Sequence, residues 1–390
     1  MPIEKSNLII DSVASSQESF CKFLSANDTG ATGGHQSGIL VSVSAGKMLF
    51  KEELPDNRVL KRNVKITWQD NNITESNFTY YSSKKELRIT KFGRSFDLLN
   101  PDKTGALFVL TKQSWDDYSA FILETENAIE DFLNTFGIGI TETNAMFGVS
   151  GIQKGVKEKQ AVQKFISSLR VEFPETEAMA LAARNIANEI YNHIEYMKTN
   201  PDKKIIEWAS TEYMLFRYIE EYRYGDIVKS GFESVEEFVS AANSILNRRK
   251  SRAGKSLEHH LKAIFDANNI QYDSQSITEG KKKPDFIFPS IEAYHNNLYP
   301  INKLVTLAAK TTCKDRWRQI LNEANRLKDE NKFLCTLQQG ISPNQMDEMQ
   351  DEKVILVVPK PYISYYPKDR QNRIWTLARF VEYIKNIQSK

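Results

Sequence analysis

The sequence predicts an α/β protein in two parts, a small mostly-β region followed by a larger one in which short strands and helices alternate. Three observations carry this. Residues 36–145 are divided into short β-rich runs by clusters of Asn, Asp, Gly and Lys. From Glu158 onward, apolar residues recur at three- and four-residue spacing with charges between them, the mark of amphipathic helices. Beyond those helices, short apolar runs are interleaved with helical stretches instead of alternating over long distances. At 390 residues, 41% of them hydrophobic, the chain has apolar material for two cores.

In chain order, strands are expected around Gly38–Val43, Val64–Trp68, Phe78–Tyr81 and Ala106–Thr111. The Gly-rich, then Lys-rich stretch Gly148–Lys159 reads as a linker. Helices are predicted over Ala161–Leu169, Glu175–Lys198 and Lys204–Tyr222. After these, strands at Phe286–Phe288, Leu304–Ala309 and Val354–Val358 alternate with helices at Ser256–Asn268, Lys314–Lys328 and Trp375–Ile387. There is no internal repeat, low-complexity tract or heptad run.

Composition narrows the function classes. With 52 basic and 50 acidic residues the formal charge is +2, so a polyanionic partner would have to be met by locally concentrated charge. Three cysteines, Cys21, Cys313 and Cys335, with no CxxC pair, exclude a disulfide framework and a thiolate zinc site of ordinary spacing. The start MPIEKSNLII has no basic segment leading into a long apolar run, and nothing approaches the ~20 apolar residues of a membrane span. A cytoplasmic protein with no membrane partner is expected, in which the sequons at Asn27, Asn72 and Asn77 carry no meaning.

The residues that suggest chemistry lie late in the chain. Pro284-Asp285-Phe286 opens a short apolar strand, Lys310 ends another 25 positions after Asp285, and Glu323 follows 13 positions later. Adjacent strands can hold a carboxylate beside an ammonium, the arrangement phosphodiester hydrolysis needs: oxygen ligands for a hard ion such as Mg²⁺ and a cation for the developing charge. On the helix expected over Lys314–Lys328, Trp317, Ile320, Leu321, Ala324 and Leu327 form one stripe, while Arg316, Gln319 and Glu323 share another face. Glu258, between the core-like Leu257 and Leu261, is a further candidate ligand. Singly, each of these residues reads as a strand-end or surface charge; their joint order favours a nuclease without by itself establishing one.

Two neighbouring segments fit nucleic acid. Lys314-Asp315-Arg316-Trp317-Arg318-Gln319 combines donors suited to guanine O6 and N7 with a carboxylate that can accept from cytosine N4. The run Asn247–Lys255 carries Arg or Lys at most positions and no acid, which suits phosphate contact. Two decoys fall away. Ala253-Gly254-Lys255-Ser256 lacks the first glycine of a P-loop, where Arg249 stands, and Gly30–His35 lacks G-x-G-x-x-G spacing.

At these residues the chain resembles the EcoRII-type restriction endonucleases, within the PD-(D/E)XK nuclease superfamily. The strings are Leu24–Gln36, Asn247–Glu258, Ile277-Thr278-Glu279-Gly280 with Lys282–Phe286, and Lys310–Ala324, all in family order. The likeness is dense over Gly231–Gln339, clear at Ser25–Gln36 and Glu86–Leu107, and thin over Ser42–Thr79 and Phe108–Lys159. It implies an N-terminal effector-binding, DNA-binding pseudobarrel over residues 1–157, a linker and first helix over 158–174, and over 175–390 a C-terminal α/β restriction-endonuclease-like domain with a central mixed sheet.

The resemblance also implies a type IIE enzyme, a site-specific deoxyribonuclease acting as a homodimer in a bacterial or archaeal cytoplasm, with Mg²⁺ as cofactor. A cognate methyltransferase would protect host DNA. It sets Asp285, Lys310 and Glu323 on catalytic positions, Asp285 and Glu323 as metal ligands, and Glu258 on an accessory acidic one. It has Lys314, Asp315 and Arg316 reading the C·G pairs of a CCNGG-like site, CCWGG in particular because KDRWRQ, with Arg318 and Gln319, is retained. Lys22, His35, Glu86 and Arg88 match effector-DNA contacts, Lys84 stands where the family has arginine, and the effector site is expected to relieve autoinhibition. At one point the chain departs: Glu207-Trp208-Ala209-Ser210-Thr211 replaces a run with several arginines, so contacts made by those arginines are not carried over. The rival expectations are a DNA-binding regulator that has lost activity and a structure-specific repair nuclease of the same fold.

Overall fold

The computed structural model describes residues 2–32, 38–93, 96–148 and 156–389. The chain forms two compact units. The first gathers residues 1–151, 338–348 and 362–372, the second 152–337, 349–361 and 373–390.

The first unit holds α1 (Pro2–Ser15), β1 (Glu18–Phe23), β2 (Ile39–Val41), α2 (Gly46–Leu49), β3 (Leu60–Trp68), β4 (Ile73–Tyr81), β5 (Glu86–Thr90), β6 (Leu107–Lys112), β7 (Tyr118–Leu123), α3 (Glu126–Phe136) and β8 (Ala145–Phe147). One eight-stranded sheet runs β2-β5-β4-β3-β7-β6-β1-β8, with β3 and β7 its parallel pair. Strand β3 shows why: Leu60, Val64, Ile66 and Trp68 turn inward while Lys61, Asn63 and Lys65 face water, so the two-residue period separates core from surface. Trp68 packs edge-on against Phe92 and Phe96. Helix α3, which the periodicity argument passes over, has clear end signals. Thr125 Oγ1 accepts the Ala128 N–H at its start, and Gly137, at φ +59°, closes it with Ile138 N donating to Leu133 O. Gly105 must be glycine: its φ is +79°, and a Cβ there would stand 2.1 Å from the Gly340 carbonyl oxygen.

The second unit holds α4 (Val156–Ser168), α5 (Thr176–Tyr191), α6 (Tyr196–Thr199), α7 (Pro201–Ser230), α8 (Val235–Ala253), α9 (Ser256–Ala267), β9 (Asp273–Ser274), β10 (Phe286–Phe288), α10 (Ile291–His295), β11 (Val305–Lys310), β12 (Lys332–Thr336), β13 (Val354–Val357) and α12 (Leu377–Gln388); α11 (Pro343–Asp351) begins among the residues gathered with the first unit. Its mixed sheet runs β13-β12-β11-β10-β9, antiparallel on the β9 side of β11 and parallel on the other. The predicted mostly-β part and α/β part with a central mixed sheet are therefore both present. Phe265 of α9 and Phe380 of α12 meet Phe288 of β10, which seats both helices on the sheet. Buried Asp202, in the first turn of α7, accepts N–H groups of Lys360, Leu377 and Ala378 at 3.0, 2.8 and 3.0 Å, tying α7 to the start of α12.

Two expectations are corrected. The helix expected over Glu175–Lys198 ends at Tyr191, because Asn192 takes the left-handed conformation at φ +49°. The segment Lys314–Lys328 is not an α-helix but two 3₁₀ runs, Arg316–Asn322 and Asn325–Leu327, interrupted where Ala324 is extended. The apolar stripe still packs: Trp317, Ile320, Ala324 and Leu327 are buried.

Candidate active site

Asp285 stands immediately before β10 and Lys310 is the last residue of β11. The antiparallel register pairing Phe286 with Leu307 brings the two together. Asp285 is buried, and its Oδ2 accepts the Ala309 N–H at 2.8 Å and the Lys310 ammonium at 3.1 Å. Glu258, in the first turn of α9, joins through Gln275, whose Nε2 donates to Glu258 Oε2 at 3.0 Å and to Asp285 Oδ1 at 2.9 Å.

Glu323 follows the first 3₁₀ run and is half-buried. Burial, then the negative charge of Asp285, pushes its carboxyl up to about 7, with Lys310 opposing. Glu258 is raised in the same way by burial and by Asp285, against the Gln275 hydrogen bond and Lys310. Three carboxylates thus share one ammonium, and two of them hold their protons more tightly than ordinary carboxylates do. Such a cluster is short of positive charge.

A backbone scaffold fixes Glu323. Thr278 Oγ1 donates to its carbonyl oxygen at 2.6 Å, Glu279 Oε2 accepts the Asn325 N–H at 3.1 Å, and Lys282 Nζ reaches Asn325 Oδ1 at 2.8 Å. Tyr294 Oη donates to the other oxygen of Glu279. The Ile277–Gly280 string picked out in the sequence therefore shapes the site without supplying its charges.

The donors present are hard oxygens, which suit Mg²⁺ over a softer metal. Among the described residues no three His, Cys, Asp or Glu side chains stand at metal-ligating spacing. Mg²⁺ keeps several waters and needs only one or two carboxylates, so Asp285 and Glu323 fit it.

Lys314, Asp315, Arg316, Arg318 and Gln319 lie on the segment leaving β11, between Lys310 and Glu323. Lys314 is buried and Arg316 half-buried, while Asp315, Arg318 and Gln319 are exposed. The basic run of α8 is largely engaged internally. Arg248 pairs with Glu172 at 2.7 Å, Arg249 with Glu220, and the Arg252 guanidinium lies 4.5 Å over the Tyr213 ring. The segment that departs from the family, Glu207–Thr211, lies inside α7, with Trp208 and Thr211 buried and Glu207 paired with Lys204.

In the first unit, Glu86 and Arg88 share the outer face of β5 and contact each other at 3.1 Å, with Leu87 and Ile89 on the inner face. Lys84 ends the short turn Ser82–Lys84 just before them. Lys22 is 4% exposed; its ammonium binds Asp28 Oδ2 and the Leu40 carbonyl, each at 2.6 Å, and Leu40 pairs with Arg88 across β2 and β5. His35 lies outside the described residues.

Gln275 is the site residue that sequence reasoning misses. It follows β9, it is exposed, and its φ of +56° is a conformation nothing in its local sequence announces.

Two family models match in order along the chain, "Restriction endonuclease EcoRII, N-terminal" over residues 13–142 and "EcoRII C terminal" over residues 216–381. The Type II restriction enzyme EcoRII of Escherichia coli is 37% identical over 383 residues, covering 93% of this chain and 92% of the relative. The Type II restriction enzyme SsoII of Shigella sonnei is 24% identical over 226 residues, covering 50% of this chain and 72% of that protein. Among solved structures, metal-depleted Ecl18kI with uncleaved, modified DNA aligns at a TM-score of 0.46 and 19% identity, covering 61% of this chain and 86% of its own. The complex of PspGI with substrate DNA aligns at 0.44 and 16%, covering 62% and 98%.

The matched models define the class as restriction endonuclease. The chain belongs to the EcoRII family of type II restriction enzymes, the site-specific deoxyribonucleases.

Proposed function

We propose that this protein cuts both strands of double-stranded DNA at a CCNGG-like site, CCWGG in particular, by Mg²⁺-dependent hydrolysis that leaves 5′-phosphate and 3′-hydroxyl ends. The observation that carries this is the Asp285–Lys310 contact at 3.1 Å, with Glu323 close enough for its carboxyl to respond to both charges. The other elements of the proposal rest on the family.

In this reading Asp285 and Glu323 offer carboxylate oxygens to the metal, with Glu258 as an accessory acid. A bound divalent ion would neutralise the phosphate and make a water more acidic. Lys310, held beside Asp285, orients the attacking water and stabilises the charge that builds on the pentavalent phosphorus. Ala309 N–H keeps Asp285 Oδ2 in place, so the lysine meets a fixed partner.

Lys314, Asp315 and Arg316 would read the C·G pairs, with Arg318 and Gln319 beside them. A homodimer would present two such sites, one to each strand. In the first unit, Lys84, Glu86, Arg88 and His35 would contact a second, effector copy of the sequence and release autoinhibition. Lys22, matched to the same contacts by the resemblance, has its ammonium buried against Asp28 Oδ2 and the Leu40 carbonyl. A cognate methyltransferase would protect host sites without needing to bind this protein.

The test is digestion of a plasmid of known sequence with the purified protein and Mg²⁺, followed by sequencing of the fragment ends. Cuts confined to CCWGG are expected. Cuts at another C/G-flanked site would overturn the assignment to Lys314, Asp315 and Arg316. No cuts, even with excess short site-bearing duplex, would overturn the assignment of the triad.

A further inference from the structure

We propose that Gln275 is a positioning residue of this site, its side-chain amide spanning Glu258 and Asp285 and holding the two carboxylates at the spacing in which a divalent cation binds. The inference rests on the reading above that these carboxylates serve Mg²⁺.

Sheet register places the residue. Ser274 pairs with Phe286, so the next position on each strand sets Gln275 opposite Asp285, and Gln275 N donates to the Asp285 carbonyl at 3.3 Å. At φ +56° the backbone is left-handed, a conformation that disfavours a non-glycine residue. Gln275 is largely exposed, and yet its long side chain is folded back over the site, a choice that also costs rotamer freedom.

What offsets both costs is the amide. Its two N–H bonds match its two contacts, one to Glu258 Oε2 at 3.0 Å and one to Asp285 Oδ1 at 2.9 Å. A neutral donor between like charges relieves their repulsion without consuming the net negative charge that draws in a cation. Each carboxylate oxygen has a second lone pair, so the amide leaves acceptor capacity for the ion. A lysine at this position would tie the carboxylates together as well, but it would cancel the charge.

The test compares Gln275→Ala, which removes the side chain, and Gln275→Met, which keeps its length but has no donor, with the unaltered protein. Because the residue is exposed, both variants are expected to stay folded and to keep the parent affinity for site-bearing duplex in EDTA. Calorimetric titration of Mg²⁺ into the complex with a non-hydrolysable duplex should show affinity weakened roughly tenfold or more in both. Cutting should return toward the parent rate at saturating Mg²⁺, so the half-saturating concentration moves and the maximal rate does not. Parent-like Mg²⁺ affinity in Gln275→Met would overturn the proposal, since length alone would then suffice. Tighter Mg²⁺ binding in Gln275→Ala would overturn it too, because the amide would then be competing with the ion. Asp285→Asn separates this from the underlying reading: if that variant binds Mg²⁺ and cuts like the parent, the site assignment itself fails, whatever Gln275 does.

Discussion

Lys310 reaches Asp285 across an antiparallel strand pair, Nζ to Oδ2 at 3.1 Å, and the N–H of Ala309 meets the same oxygen at 2.8 Å. One carboxylate oxygen thus fixes the lysine while the other, Oδ1, accepts from the Gln275 amide, which also reaches Glu258. The strand ends hold these groups in the free chain, the preorganisation that the proposed hydrolysis would use.

Lys310→Ala should lower the cutting rate by about 10²–10³-fold or more, the usual cost of one preorganised donor, and leave binding to site-bearing duplex intact in a gel shift. Loss of binding together with cutting would indicate a folding defect instead.

The Glu323 carboxyl, pushed up to about 7, makes the proposed metal site pH-dependent. At fixed sub-saturating Mg²⁺, cutting should fall as pH drops below about 7, because the protonated acid competes with the ion. Metal-free stability runs the other way. From the ordinary carboxyl value near 4.5 up to about 7, the folded chain binds more protons than the unfolded one, so this group's contribution is full at low pH and is lost as pH rises through 7. Melting temperatures of the metal-free protein at pH 5 and pH 8 should therefore differ more in the parent than in Glu323→Gln; equal differences would remove Glu323 as the cause.

Arg316→Ala should weaken binding to the C/G-flanked site by about 1–3 kcal/mol and reduce discrimination against substitution of a single C·G pair, read by competition with mismatched duplexes. Uniform weakening across all sequences would make Arg316 a phosphate contact and not a base reader.

Glu212 and His260 are both fully buried, 2.8 Å apart between α7 and α9, with Ser256 Oγ donating to the same glutamate oxygen at 2.8 Å. Burial works against the charge, but His260, Arg252 and Ser256 together hold the Glu212 carboxyl below its ordinary range. Glu212→Ala should cost about 3–5 kcal/mol in chemical denaturation, because it strands a buried partner. A loss under ~1 kcal/mol would show that the pair carries no buried charge.

Much of the site was legible because its chemistry is tied to strand ends. Asp285 and Lys310 bracket short apolar runs, and an apolar run bounded by a charge marks both a strand and its terminus. Glu323 was legible as a residue, though the wrong helix carried it. In so short a segment a 3₁₀ period of three and an α period of 3.6 bury almost the same side chains, so Trp317, Ile320, Ala324 and Leu327 satisfied either one. In the basic run of α8, composition reports charge and not its partner: Arg248 and Arg249 face Glu172 and Glu220, distant in sequence.

The sequence by itself determined the family, the two-part α/β organisation and the identity of the charged residues, because strings of residue types and apolar periods are local properties of the chain. Only the tertiary structure decided which charges meet. Strand register set Asp285 beside Lys310 and opposite Gln275, while the Thr278–Lys282 loop anchored the backbone around Glu323. Register depends on pairing between segments far apart in sequence, and the electrostatics of a carboxylate depend on neighbours that only that pairing brings near.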